Sequence, residues 1–140
     1  MIVDAHAHFV PPAFVEKISE PGLFPSVQVT REAQGVRFAF AGGEATRPMS
    51  PGLSDSVRRK AWMASCGIDN QVVGTWLDIV GYELPPDEGA DWCRLMNETM
   101  LEAARELDFL PPLACVPMQS GRHAAALGEE AAAAGFTGVG

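Results

Sequence analysis

A chain of 140 residues with 47% hydrophobic and 20% charged residues belongs with single globular domains, outside the disordered, collagen-like and membrane-spanning classes. Eighteen acidic against ten basic residues give a formal charge of −8, which argues against a surface built to gather nucleic acid phosphates. No apolar run approaches the ~20 residues that span a bilayer, and Met1 leads into Ile2-Val3-Asp4 without a basic and then apolar leader, so no membrane partner and a cytoplasmic location are expected.

Met1 to Ala5 is an apolar run ending at Asp4-Ala5-His6-Ala7-His8, and Pro11-Pro12 stops a strand from continuing. Pro12 suits the first position of a short helix with Phe14, Val15 and Ile18 on one face. Val27–Arg31 and Val36–Phe40 alternate with period two and predict a hairpin turning at Glu32-Ala33-Gln34-Gly35. Pro48 and Pro51 make the segment up to Pro51 a loop. Ser54 or Asp55 then caps a helix with Val57, Ala61 and Ala64 at helical spacing, which Gly67 ends. Gln71–Leu77 reads as a strand covered on both faces. Asp87 and Glu88 open a long amphipathic helix carrying Trp92, Leu95, Met96, Thr99, Met100, Ala103 and Leu107. Leu113–Met118 is a further strand, Ser120 caps a helix through Ala134, and Phe136–Gly140 begins another strand.

Alternating strands and helices predict an α/β fold with a parallel sheet and right-handed crossovers. A (β/α)8 TIM barrel needs roughly 250 residues. The expectation is therefore a partial barrel: the first three βα units and the start of a fourth strand, with residues 25–52 forming a hairpin and loop inserted after strand 1. Cys66, Cys93 and Cys115 are odd in number and lack CxxC spacing, so neither a disulfide framework nor a structural zinc site is expected, and all three are read as buried thiols.

His6 and His8 lie two apart on a strand and project to one face, where they can approach one metal ion. Imidazoles suit zinc and its neighbours, and the C-terminal strand ends are where a parallel barrel keeps its active site.

Asp4-Ala5-His6-Ala7-His8-Phe9-Val10-Pro11 resembles the opening of the amidohydrolase-related metal-dependent enzymes, in particular the branch of the carboxymuconate-semialdehyde and γ-resorcylate-type decarboxylases. Gly67-Ile68-Asp69-Asn70-Gln71-Val72, Met96-Asn97-Glu98, Leu113–Gln119 and Ala133–Gly138 are similar to later segments of that branch, so the resemblance extends over essentially the whole chain. It implies that His6 and His8 are the first two ligands of a Zn2+ (or Mn2+) ion. A third histidine, an aspartate and the catalytic histidine would belong to strands beyond Gly140. The 140-residue chain alone is then expected to hold metal poorly and to contain no catalytic residue. Arg47 matches an arginine offered by the inserted region to a substrate carboxylate, a task suited to a guanidinium fork. Gly81-Tyr82 resembles a Gly-Tyr after strand two, whereas Trp76-Leu77-Asp78 departs from the pattern. Trp76 and Tyr82 are candidate aromatic contacts for a flat acid. Asp78 is read as a residue that turns the loop, and His123 as a solvated helix-start histidine.

The function expected is decarboxylation of an unsaturated or aromatic carboxylic acid by a metal-dependent carboxy-lyase, present here as its N-terminal part and homodimeric when full length. A hydrolase of the same superfamily, or a truncated non-catalytic product, are the alternatives.

Overall fold

A computed structural model describes residues 1–140 as a mixed α/β fold with 43% helix and 19% strand. Strand β1 (Val3–His8) is followed by helix α1 (Pro12–Ile18), the hairpin β2 (Val27–Glu32) and β3 (Gly35–Phe40), and α2 (Ser56–Cys66). Then come β4 (Asn70–Gly74), α3 (Pro86–Leu107), β5 (Leu113–Ala114), α4 (Gly121–Ala134) and β6 (Gly138–Val139). β1 pairs in parallel with β4, and β5 in parallel with β6. The Leu110 N–H donates to Gln71 O at 3.3 Å, which sets the chain entering β5 alongside β4. The hairpin pairs without a slip from Val27↔Phe40 to Glu32↔Gly35, as its alternation predicts.

β1 carries an irregularity. Asp4 lies opposite Gln71 and Ala7 opposite Val73, so β1 spends three steps where β4 spends two. Gln71 and Val73 share one face of β4, so Asp4 and Ala7 share it too, and His8 opposite Gly74 lies on the other.

The core forms where α1, the loop after it and the hairpin meet α3. Trp92 is fully buried, with Phe14, Phe24 and Phe40 set edge-on around it at centroid distances of 4.8, 5.2 and 5.3 Å. Edge-to-face packing of this kind adds to the burial itself. The indole Nε1–H donates to Ile79 O at 2.9 Å, so the same residue positions the turn that follows β4. The Glu88 carboxylate accepts the Ser26 N–H at 2.9 Å and ties the base of the hairpin to the start of α3.

Two strands are shorter than their apolar character predicts. β4 ends at Gly74, and the chain passes through Thr75 and Trp76 into a 3-10 turn over Leu77–Ile79. Along Leu113–Met118 only Leu113 and Ala114 pair as a strand. Cys115 N–H and C=O go instead to the Asn97 side-chain amide at 2.7 and 2.9 Å, and Pro117 has no N–H to offer.

Helix α2 starts at Asp55, whose carboxylate accepts the Arg58 N–H at 2.9 Å, and ends at Gly67 with φ +69. Its facing corrects the sequence reading. Val57, Ala61 and Ala64 are exposed, and the residues turned inward are Arg59 and Met63. The polar network around Arg59, described below, sets the rotation of the helix where the weak stripe of small residues does not. Cys66 is accordingly exposed, against the expectation of three buried thiols, while Cys93 and Cys115 are buried.

Candidate functional site

Of the residues singled out by the sequence, His6, His8, Trp76 and Asp78 lie at or just past the ends of β1 and β4, and Arg47 reaches Asp78. Because these strands run parallel, His8 at the end of β1 and Thr75–Asp78 after β4 emerge at the same side of the sheet. The His6 and His8 rings lie edge to face with centroids 4.9 Å apart. His6 is exposed and His8 half-buried. His8 Nδ1 lies 2.8 Å from Thr75 O. A carbonyl only accepts, so Nδ1 carries a proton, and in the neutral ring Nε2 is then the nitrogen with the lone pair, the arrangement by which a backbone oxygen orients a metal-binding imidazole.

Asp4 does not join them. Its Oδ2 accepts from Gln71 Nε2 at 2.8 Å and its Oδ1 from His6 N–H at 3.2 Å, bonds that follow from its place on the other face of the bulged strand. No group of three or more His, Cys, Asp or Glu side chains is arranged to hold a metal ion. Two imidazoles are the donor set present; they fit the start of a zinc or manganese site and fall short of the three protein ligands of a catalytic zinc.

Arg47, Trp76 and Asp78 come together in one unit. Arg47 Nε and Nη2 donate to the two Asp78 carboxylate oxygens at 2.8 and 3.2 Å, and the guanidinium carbon lies 5.5 Å from the Trp76 ring centroid. Trp76 is only 4% exposed, so a ligand reaching this corner meets Arg47 rather than an open indole face. Asp78 does turn the loop, within the 3-10 segment, and in addition fills the fork of Arg47. Tyr82 is 42% exposed. Desolvation, reinforced by Cys115 and Cys93, pushes its phenol above the ordinary value.

Arg59 was invisible to sequence reasoning. Its Nη2 donates to His8 O at 2.5 Å and to Gly52 O at 2.9 Å, and its Nη1 to Gln71 Oε1 at 3.0 Å. The guanidinium also lies 5.2 Å from the Phe9 ring centroid. One side chain thus ties the end of β1, the turn at Pro51–Leu53 and β4 to α2. Desolvation draws its pKa down, and the Asp4 carboxylate opposes that shift. Arg59 also lines a cavity of about 400 Å³ with Asp4, His8, Leu53, Trp62 and Gln71. An arginine on an exposed-looking helix turn gives no sequence signal for such a role; Gln71, an amide leading an otherwise apolar run, is the available hint.

His123 is not the solvated residue expected. Its Nδ1 lies 2.8 Å from Ser120 Oγ and its Nε2 3.2 Å from Asp87 Oδ1, which joins the starts of α3 and α4. No protein-family model matches the chain, and no curated protein matches it.

Proposed function

We propose that the chain is the metal-binding N-terminal part of a (β/α)8 barrel of the amidohydrolase-related kind, with β1, β4, β5 and β6 as its first four strands. The activity proposed is decarboxylation of a small unsaturated or aromatic carboxylic acid. The observation that carries this reading is the paired imidazoles of His6 and His8, with His8 Nδ1 committed to Thr75 O and Nε2 left to ligate. Bound there, Zn2+ or Mn2+ supplies Lewis-acid polarisation of a substrate oxygen.

The residues of the chain provide the rest of the corner. Thr75 O fixes the tautomer of His8, and Arg59 holds the His8 carbonyl. Arg47 presents a planar fork that already accepts a carboxylate, that of Asp78, and is supported from below by Trp76. A substrate carboxylate would compete with Asp78 for the same two donors.

The test is zinc and manganese binding by the chain, by calorimetry and metal analysis, for the parent and for His6→Ala and His8→Ala. Two imidazoles are expected to bind weakly and each substitution to weaken that binding further; unchanged affinity in both variants would overturn the ligand assignment. Carbon dioxide release from unsaturated and aromatic carboxylic acids by the natural protein containing this chain is the matching activity measurement. Metal-dependent ester or amide hydrolysis without carbon dioxide release would replace the decarboxylase with the hydrolase.

A further inference from the structure

The buried thiols of Cys93 and Cys115 lie outside the corner just described, on α3 and just past β5, with their sulfurs 3.4 Å apart. Both are essentially inaccessible, at 0% and 1% exposure. Their approach is built rather than incidental. Asn97, one helical turn after Cys93 and on the same face of α3, holds Cys115 from both sides of its backbone, accepting from its N–H and donating to its C=O. The Cys115 sulfur is left facing Cys93, with Val80 O at 3.9 Å and the Thr75 side chain as further polar neighbours. Separate elements, a two-point clamp and sulfurs already in contact are the geometry from which a disulfide closes by small side-chain rotation.

We infer that Cys93 and Cys115 are a reversible oxidation site, which a peroxide-class oxidant converts into a disulfide linking α3 to the end of β5. Either sulfur can donate the hydrogen bond between them, and the order of events follows from the arrangement in which Cys93 donates. The Cys93 S–H bonded to the Cys115 sulfur favours the Cys115 thiolate over desolvation and raises the Cys93 thiol well above its ordinary value. The Cys115 thiolate attacks one peroxide oxygen. The O–O bond breaks, a Cys115 sulfenic acid forms, and the departing hydroxide takes a proton to become water. The Cys93 sulfur then attacks the sulfenic sulfur. The S–S bond forms, the S–O bond breaks, and the leaving hydroxide carries off the Cys93 proton as water. Two thiols lose two electrons in total, and one peroxide becomes two waters.

The reporter is Cys66→Ser, a surface substitution that removes the exposed third thiol. After hydrogen peroxide it is expected to lose both remaining thiols, counted in denaturant, without forming covalent dimers, and to regain them with dithiothreitol. Adding Cys93→Ser should leave a Cys115 sulfenic acid that dimedone traps. A second readout is spectroscopic. Both sulfurs contribute to the raised pKa of Tyr82, so disulfide formation should lower the phenol pKa in Cys66→Ser. Two intact thiols after exposure that oxidises the denatured chain would overturn the inference. Covalent dimers or irreversible sulfinic acid as the main product would do the same. These measurements on Cys66→Ser do not require the Cys93→Ser protein to fold, and they need no metal.

Discussion

Replacing Arg59 by methionine keeps most of the aliphatic stem and removes the guanidinium. Three charge-assisted bonds disappear, to His8 O, Gly52 O and Gln71 Oε1, each with a net contribution of about 1.5–3 kcal/mol. Against this stands the desolvation that the buried guanidinium no longer suffers, which is why an apolar substitute for a buried ion is sometimes neutral. Here the acceptors are backbone and amide groups that remain behind. Water entering the cavity of about 400 Å³ beside them satisfies only some, and a net destabilisation of about 2–4 kcal/mol follows. For 140 residues, an unfolding entropy of about 2.1 cal/mol/K per residue converts 3 kcal/mol into a fall in Tm of about 10 °C. Thermal unfolding followed by circular dichroism measures it. Arg59→Lys keeps the charge without the planar fork and should fall between the two. An unchanged or higher Tm for Arg59→Met would refute the assignment of Arg59 as the tie between α2 and the end of β1. A lysine variant as stable as the parent would refute the role of its fork.

Gly81 sits at φ +76, and a Cβ there would lie 2.9 Å from Trp92 Cδ1 and 3.1 Å from Leu84 Cδ1. Gly81→Ala combines backbone strain with overpacking of the central indole and should lose about 2–4 kcal/mol, read as a lower Tm and an altered near-ultraviolet tryptophan spectrum. Tyr82 is the single tyrosine, so its ultraviolet titration is unambiguous. The folded chain should ionise above the ordinary value of 10.0 and the unfolded chain near it. A raised folded pKa stabilises fully below the unfolded pKa, and that contribution fades as pH rises through the folded pKa. At the Arg47 corner, Asp78→Asn removes the internal competitor. It should strengthen binding of a flat dicarboxylate probe such as phthalate by up to about fivefold, the range of an exposed ion pair. Arg47→Ala should abolish that binding, and an Asp78→Asn affinity at or below the parent's would count against a shared anion site. Tryptophan fluorescence titration reads both.

Local pattern foretold what local chemistry determines. The hairpin followed from alternation at Val27–Arg31 and Val36–Phe40, although pairing runs on to Glu32 and Gly35; both ends of α2 followed from Asp55 and Gly67, and the start of α3 from Asp87 and Glu88. What depended on a partner distant in sequence did not. The truncation of β4 and of the segment after Leu113 is set by Thr75 O bonding His8 and by Asn97 clamping Cys115, neither of which leaves a mark on hydropathy. The inward face of α2 carries a buried arginine, so its weak apolar stripe pointed to the wrong side. Arg47 and Asp78 were each noticed for separate reasons, yet their pairing spans 31 residues and only the fold brings them together. The same holds for the two thiols, 22 residues apart.

The extra residue in β1 works as a phase shift along one strand. In an unbroken strand, the spacing of Asp4, His6 and His8 would turn all three side chains the same way and set a carboxylate beside the imidazoles. With the shift, the acid serves β4 and the rings answer to the opposite side. Asp4 is thereby committed to Gln71 and to the His6 backbone, so substituting it should first cost the pairing of β1 with β4.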